Sequence, residues 1–322
     1  MKRKHLIAFG LSLGILAIAI VFLSLYGPSL GIYLRKPSPQ DYGARALAFM
    51  DNGYYASTDE WLKAKETARN DLENAHSYQD TWPILREALV AAGGKHSRLI
   101  TPEESATASE EAITLPLVSS DRMENGILTV VIPEFTHGSK EEYAAIVISW
   151  LQGHQDAKGV VIDLRGNTGG DIAPMIAALS PLLPDGEVLH TMYANGQLHA
   201  MTLKDGYFSG GSGIKSESFK MPTTIPIAIL TDERTASSGE AVLLAFRGME
   251  KVRSFGAPTA GYASANTVFR LYDGTQVILT IGADVCVRTG EVFCEDPIPP
   301  DVLSDNPEQD AVAWIEEYPS RR

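Results

Sequence analysis

The stretch GVVIDLRGNTGGDIAPM, residues 159–175, decides the fold of this chain. It begins with a run of apolar residues, which is typical of a strand buried on both faces of a sheet. A glycine-rich turn, Gly166–Gly170, follows, and a helix is predicted after it. Glycines in such a turn let the backbone approach a ligand closely and expose N–H groups. The pattern therefore predicts a strand–turn–helix unit, with a turn suited to a ligand.

Other interpretations of this turn are a phosphate site or a plain connection between strand and helix. A P-loop needs a lysine and a hydroxyl at the start of the helix, and neither is present. The glycine spacing of a dinucleotide site is also absent. We therefore expect no nucleotide partner, while a tight strand-to-helix connection stays open.

A second stretch, TDERTASSGEAVLLAF, occupies residues 231–246. Ser237 and Glu240 have the spacing of a capping box, in which each side chain bonds a backbone N–H at the start of a helix. A helix N-terminus also carries unpaired N–H groups, which suit a nucleophile that attacks a carbonyl. By itself, this stretch leaves both interpretations open, a helix cap or a nucleophilic serine.

The rest of the chain divides into segments with different patterns of apolar and polar residues. From about Leu115, strand patterns alternate with helix patterns, which predicts an α/β core over residues 115–322. Residues 35–114 predict a linker and a small helical subdomain, because apolar residues recur at intervals of three and four. Residues 187–221 break the alternation and are rich in glycine and serine, so they are a candidate cap.

The N-terminus predicts a membrane anchor. Lys2, Arg3 and Lys4 precede a segment without charged residues, and Leu6–Tyr26 is long enough to span a bilayer. A cleaved signal peptide is the alternative, but no convincing small-x-small cleavage site follows. We expect residues 1–34 to form a single-pass anchor, with the N-terminus in the cytoplasm and the remainder outside the cell.

The amino-acid composition restricts the kinds of molecule that the protein is expected to bind. The 322 residues carry a net charge of −13, which argues against nucleic acid and is compatible with a cationic partner. The only two cysteines, Cys286 and Cys294, lie close together, and outside the cytoplasm such a pair can form a disulfide. Two thiols alone make a poor zinc site. We therefore predict a structural disulfide and neither a metal nor a cofactor.

Taken together and in this order, four motifs resemble the tail-specific protease family, also called C-terminal processing peptidases. They are VVIDLRGNTGG, TASSGE, GAPTAGYASAN and PIPPDV, and the resemblance covers about residues 42–302. It implies a β/α spiral core shared with crotonase-like and Clp-type enzymes. The gap between His96 and Leu115 is too short for the PDZ module of many relatives, so no PDZ domain is expected.

The resemblance also implies catalytic residues. The family's nucleophile matches Ser237, three residues before the glutamate. One branch of the family uses a lysine as general base, but Tyr262 stands at that position, and no lysine follows Lys251. Another branch, which includes the tricorn-type proteases, uses a histidine in a Gly-x-His-Ser segment. Residues 94–97 fit that pattern, so His96 is the expected base.

The expected reaction is hydrolysis of a peptide, with a cationic antimicrobial peptide such as a lantibiotic as one substrate, as in anchored members of the family. A non-catalytic peptide-binding protein is one alternative, and a crotonase-like acyl-transfer enzyme is the other. The remaining predicted site residues are two oxyanion donors, one acid that would orient the histidine and three groove residues: Gly170 and Ser238; Glu295; Asp171, Ile172 and Asn266.

Overall fold

The computed structural model describes residues 18, 21–23, 27, 32–112, 121–222 and 224–318. The chain forms two compact units that are not continuous in sequence. The first contains the described part of residues 1–93 together with residues 97–105 and 267–279, and the second contains residues 94–96, 106–266 and 280–322. The single boundary predicted near residue 115 therefore differs from the observed division, because the chain crosses between the units several times.

The described part of the first unit is built around three helices and a short strand. The predicted helical subdomain is made of α1 (Pro39–Met50), α2 (Asp59–Leu72) and α3 (Tyr78–Gly93), and β1 (Arg98–Ile100) follows. Ser38 and Thr58 cap the first two helices, since their hydroxyls accept backbone N–H groups three residues ahead. The core consists of side chains that the three helices bury, among them Tyr42, Leu47, Trp61, Leu85 and Leu89.

Residues 267–279, the tip of a hairpin that is distant in sequence, complete this unit. The rings of Phe49 and Phe269 stack with their centroids 4.5 Å apart. The Tyr42 hydroxyl donates to the carboxylate of Asp273 at 3.1 Å. The helical subdomain thus includes a segment that the sequence pattern assigns to the core.

The second unit contains a parallel sheet with helices on both faces. Its elements are β2 (Asp121–Glu124), β3 (Ile127–Val131), α5 (Lys140–Gly153), β4 (Gly159–Asp163), α6 (Ile172–Leu179), β9 (Ile227–Thr231), α7 (Ser238–Phe246), β10 (Val252–Gly256), β14 (Val302–Leu303) and α8 (Pro307–Glu317). The strand order is β14-β10-β9-β4-β3-β2 within the described residues, and all neighbours are parallel except β2 and β3. Along β9, Ile227 and Ile229 face a cluster with three helices, α5, α6 and α7, while Ala228 and Leu230 face α8. Because both faces are covered, β4 and β9 are buried along their whole length.

An antiparallel sheet forms the other layer of the second unit. The candidate cap, residues 187–221, folds into strands of this sheet rather than into an irregular loop. The strands are β5 (Gly186–Tyr193), β6 (Leu198–Lys204), β7 (Tyr207–Ser209) and β8 (Ile214–Lys215), and β5 pairs with residues 282–285 of β12 (Gln276–Val285). The remaining elements are α4 (Pro102–Ala112), β11 (Ser264–Arg270), which pairs with β12 in the predicted hairpin, and β13 (Val292–Phe293).

The predicted anchor, residues 1–34, lies almost wholly outside the described residues. Among the residues that are described, no helix combines the length and the apolar composition needed to span a bilayer.

Candidate active site

Ser237 occupies a sharp turn between strand β9 and helix α7. Its φ of 52° and ψ of −118° lie in a region that serine rarely adopts. Such strain costs on the order of 1–3 kcal/mol and persists only where the surrounding structure imposes it. The geometry resembles the strand–turn–helix elbow that displays a nucleophilic serine in α/β-hydrolases. The turn therefore presents the Ser237 side chain at the start of α7.

A buried carboxylate holds this turn in place. Glu240 Oε2 accepts the N–H of Ser237 at 2.8 Å, which is the glutamate half of the predicted capping box. The same carboxylate accepts the N–H groups of Gly261 at 2.9 Å and Tyr262 at 2.7 Å, and the hydroxyl of Thr259. Burial raises the pKa of Glu240, and these four hydrogen bonds act against that rise. Glu240 thus joins α7 to the loop before β11.

The glycine-rich turn after β4 lies directly against the serine turn. A Cβ on Gly169 would come within 2.7 Å of the Ser237 Cβ, and one on Gly170 would come within 2.0 Å of the Phe135 carbonyl oxygen. Both residues also have φ above 100°. Only glycine fits at these two positions. The Ser238 hydroxyl donates to the Gly170 carbonyl at 2.6 Å, which ties the two turns together.

The two predicted oxyanion donors both border the cleft beside Ser237. Within the described residues, the N–H groups of Gly170 and Ser238 donate to no acceptor. The Ser238 N–H belongs to the first turn of α7, where backbone donors have no partner inside the helix. The arrangement provides two N–H donors without acceptors among the described residues, both on residues that line the same cleft as Ser237.

His96 is buried, with 8% of its surface exposed. Its ring lies beside the first residue of β11 and the loop that precedes it. Its Nδ1 lies 2.8 Å from the hydroxyl oxygen of Ser264, which lines the cleft together with Ser237. Its ring meets the ring of Tyr262 edge to face, with centroids 5.2 Å apart. The sequence reasoning missed Ser264, although it lies in the GAPTAGYASAN motif, eight residues after the start of the motif.

Glu295, the predicted orienting acid, is linked to the residue before the histidine. Its Oε1 accepts the backbone N–H of Lys95 at 2.6 Å. Lys95 Nζ lies 4.6 Å from the centroid of the Tyr262 ring and donates to the Ala260 carbonyl at 3.3 Å. These contacts fix the backbone beside His96. An orienting role of Glu295 at the imidazole itself stays a prediction.

A cleft of about 640 Å³ runs past Ser237 and the two predicted oxyanion donors and has two sides. His96 does not line this cleft, but it contacts Ser264, which does. The turn side contains Gly170, Ser237 and Ser238, and the sheet side is formed by β5–β8 and the end of β12. The predicted groove residues Asp171, Ile172 and Asn266 all line the cleft. The other lining residues are Ala241 on the turn side, Leu189, Thr191, Tyr193, His199, Ala200, Met201, Tyr207, Ser209, Gly210, Gly211, Ser212, Gly213 and Asp284 on the sheet side, and Ser264 and Ala265 at the start of β11.

Asp171 connects the two sides of the cleft. Its carboxylate caps α6 by accepting the N–H of Ala173 at 3.0 Å, and it also accepts the hydroxyl of Ser212 from the glycine-rich loop between β7 and β8. Asn266 Oδ1 accepts the hydroxyl of Thr280 at 2.8 Å. Both residues therefore have structural partners as well as a face toward the cleft.

The structure shows no disulfide bond between Cys286 and Cys294, the pair for which the sequence predicts one. Cys286 is buried, and its Sγ lies 3.6 Å from the carbonyl oxygens of Leu244 and Arg247, at the C-terminal end of α7. The carbonyls at the end of a helix lack partners within the helix. The thiol is thus directed at the helix end as a weak donor.

The sequence and the fold are similar to those of known peptidases. The family model of Peptidase family S41 matches residues 126–304. The nisin-resistance protein of Lactococcus lactis subsp. lactis is 37% identical over 310 residues, which cover 94% of this chain and 96% of that protein. The carboxy-terminal processing protease CtpA of Bacillus subtilis (strain 168) is 25% identical over 207 residues, covering 64% of this chain and 41% of that protein.

Two solved structures match most of the chain. A lipoprotein from Streptococcus agalactiae has a TM-score of 0.79 and 31% identity, covering 89% of this chain and 99% of that chain. The photosystem II D1 C-terminal processing protease has a TM-score of 0.57 and 16% identity, covering 84% and 94%. The second similarity concerns the fold alone, and it confirms the predicted α/β protease fold.

Proposed function

Because this chain belongs to peptidase family S41, we propose that it is a serine peptidase with Ser237 as nucleophile and His96 as general base. The observation that carries the proposal is the strained turn at Ser237, next to two N–H groups without acceptors in the described part of the chain. Strain of this kind is concentrated at functional sites. A simple helix cap needs neither the positive φ nor the second N–H donor from the glycine turn.

The reaction proceeds in two steps of acyl transfer. The Ser237 hydroxyl attacks the scissile carbonyl carbon, and His96 takes the hydroxyl proton. The oxyanion accepts hydrogen bonds from the N–H groups of Gly170 and Ser238. His96 then donates the proton to the leaving amine, and the C–N bond breaks. Water hydrolyses the resulting ester in the same way, and the serine is regenerated.

The Ser264 hydroxyl determines how His96 serves as a base. With its proton on Nδ1, the imidazole donates to Ser264 Oγ across the observed 2.8 Å. Nε2 is then unprotonated and able to accept a proton. Ser264 is therefore a positioning residue in this proposal, and Glu295 supports it by holding the backbone at Lys95.

The substrate is a peptide that is cut near its C-terminus, and a cationic antimicrobial peptide such as a lantibiotic is the first candidate. The names of two similar proteins, which refer to nisin resistance and carboxy-terminal processing, support this choice. The basic residues 2–4 and the uncharged segment after them support an anchor that leaves the catalytic domain outside the cell. Such a location is where an antimicrobial peptide arrives.

Labelling with a fluorophosphonate probe and mass spectrometry of peptide digests test the proposal. The full-length protein should take up the probe and shorten a lantibiotic such as nisin, whereas Ser237→Ala should do neither. Ser149→Ala is the matched control, because it removes an exposed serine hydroxyl from α5, outside the cleft. His96→Ala should keep its fold and lose cleavage. Labelling of Ser237→Ala, or undiminished cleavage by His96→Ala, would refute the assignment.

A further inference from the structure

Two buried polar side chains lie next to each other on the sheet side of the cleft. Asp284 is 4% exposed and Thr191 is 1% exposed. They are direct partners in the register of β12 and β5, so their side chains lie on the same face of the sheet. On β5, Leu189, Thr191 and Tyr193 occupy alternate positions, and all three line the cleft. This face is therefore the cleft face.

Neither polar group has a hydrogen-bond partner within the described part of the chain. Thr191 Oγ1 is buried without a partner. The carboxylate of Asp284 makes no hydrogen bond or ion pair either. More than nine in ten buried polar groups in proteins are hydrogen-bonded, and leaving one unpaired is costly. A ligand side chain that enters the cleft is in a position to supply the hydrogen bonds.

The charge of the site favours a positively charged side chain. Asp171 and Asp284 line the cleft, and none of the lining residues is a lysine or an arginine. Burial, and after it the negative charge of Glu240, raises the pKa of Asp284 to about 8. A cation beside Asp284 would relieve both effects, since it stabilises the ionised carboxylate.

The walls of the site suit the aliphatic part of such a side chain. Leu189 and Ala241 line the cleft together with Asp284, and both are nearly fully buried. Ala241 lies one helical turn after Ser237 on α7, so this apolar wall adjoins the nucleophile. A lysine packs its methylene groups on apolar surface and directs its ammonium to polar partners. An ammonium has three donors, which match one carboxylate and one hydroxyl.

We propose that Asp284 and Thr191 bind the side chain of a substrate lysine beside Ser237, so that the enzyme prefers lysine at one position next to the cut. This inference rests on the proposed peptidase function. The ammonium donates to the Asp284 carboxylate and to Thr191 Oγ1, while Leu189 and Ala241 contact the methylene groups. Asp284 and Thr191 are specificity residues and take no part in the proton transfers.

A peptide library tests this preference. Lysine, norleucine and glutamate are equally represented at every position, and mass spectrometry identifies the residues on both sides of each cut made by the full-length protein. Norleucine has the aliphatic length of lysine without the ammonium. Steady-state kinetics then compare the lysine and norleucine versions of the best peptide. We expect the two versions to differ mainly in KM. Glutamate at the preferred position should not be accepted.

Three variants separate specificity from folding. Asp284→Asn should reduce the preference for lysine over norleucine by at least about 30-fold, since a buried charge-assisted bond is lost. Thr191→Val, which is isosteric, should reduce it by about 3- to 10-fold. Asp156→Asn removes the same charge from an exposed position outside the cleft and should keep the preference.

The results distinguish this inference from the proposed function. Cleavage that depends on Ser237 but shows no lysine preference, or a preference that Asp284→Asn leaves unchanged, overturns the inference and leaves the peptidase standing. Absence of both probe labelling and cleavage overturns the two together. A lysine preference that Asp284→Asn abolishes, in a variant whose Ser237 still takes up the probe, supports the inference.

Discussion

The two sides of the cleft are built in different ways. On the turn side, the backbone conformation determines the shape of the site, since Ser237, Gly169 and Gly170 all have positive φ. On the sheet side, side chains of the paired strands β5 and β12 form the surface beside the nucleophile. On the turn side, the Ser237 N–H is hydrogen-bonded to Glu240, whereas the Asp284 carboxylate on the sheet side has no hydrogen bond within the described residues.

This difference assigns separate tasks to the two sides. A site whose shape is determined by the backbone holds a nucleophile and N–H donors in one fixed geometry, as acyl transfer requires. A surface of alternating side chains is easily changed without disturbing the fold, as substrate selection requires. We therefore expect substitutions on the turn side to impair the reaction, and substitutions on the sheet side to alter which peptide is cut.

The largest expected effect is that of Gly170→Ala on the turn side. The new Cβ would meet the Phe135 carbonyl oxygen at 2.0 Å, so the turn must shift and its N–H must leave the oxyanion position. Loss of one oxyanion donor lowers kcat by about 100- to 1,000-fold, and we expect at least that in steady-state peptide assays.

Gly196→Ala on the sheet side is the matched control for this prediction. Gly196 also has positive φ, in the turn between β5 and β6, but an added Cβ there meets nothing within 4 Å. We expect it to lose about 1 kcal/mol of stability and to keep its kcat. Equal losses of activity in the two variants would contradict the contrast between the two sides.

The difference between the two sides also explains which parts of the candidate site the sequence predicts. The turn side is encoded by consecutive residues, so GVVIDLRGNTGG and TASSGE predict the strand, the turn and the helix start correctly in type and position. The role of Ser237 as nucleophile stays a prediction. The sheet side depends on register. The strand pattern around Asp284 indicates which residues share a face, but only the observed pairing of β12 with β5 brings Thr191 opposite to it.

The same limit applies to His96 and Ser264. Each belongs to a recognisable motif, but their contact arises from the packing of loops that are far apart in sequence. The pairing of long-range segments is determined by the whole core, which single motifs do not contain. Single residues such as Ser237 and His96 could thus be proposed from their motifs, while the contact between His96 and Ser264 could not.

A smaller but still large effect is expected for Glu240→Gln. An amide in place of the carboxylate would turn its NH₂ group toward backbone N–H donors that now bond to an oxygen. We expect a loss of about 2–4 kcal/mol in the free energy of unfolding, measured by urea denaturation. Glu291→Gln, which breaks an ion pair with Arg247 at the surface, should lose no more than about 1 kcal/mol.

Ser264→Ala should lower kcat/KM by about tenfold, because Nδ1 of His96 loses a hydrogen bond worth about 1 kcal/mol. The pH profile of kcat/KM should shift as well, which a purely structural role would not cause. Ser264→Thr keeps the hydroxyl and should restore most of the activity. Ser209→Ala removes another cleft serine, bonded to Thr202, and should leave the pH profile unchanged. An unaltered profile in Ser264→Ala would remove Ser264 from the proposed mechanism.

On the sheet side, Asp284 should make the stability of the protein depend on pH. The pKa of Asp284 is about 8 in the folded protein, raised first by burial, and near 3.9 when unfolded. Between these values the folded state retains a proton that the unfolded state releases, so this residue's contribution to stability is lost as pH rises through 8. Asp284→Asn should therefore gain in Tm relative to the parent protein between pH 5 and 9. Asp156→Asn, at an exposed position, should give a curve parallel to that of the parent.

The smallest effect is expected for the cysteines, outside both sides of the cleft. Because the structure shows no disulfide bond between Cys286 and Cys294, a reducing agent should leave the Tm unchanged within about 1 °C, whereas loss of a native disulfide costs about 2–5 kcal/mol. Cys294→Ser should likewise have little effect. Cys286→Ser should cost more, because Cys286 is buried in the core cluster around α7 and its sulfur packs as an apolar group. A marked fall in Tm on reduction would show that the two cysteines are joined and that the end of α7 is held by a covalent bond instead of by packing.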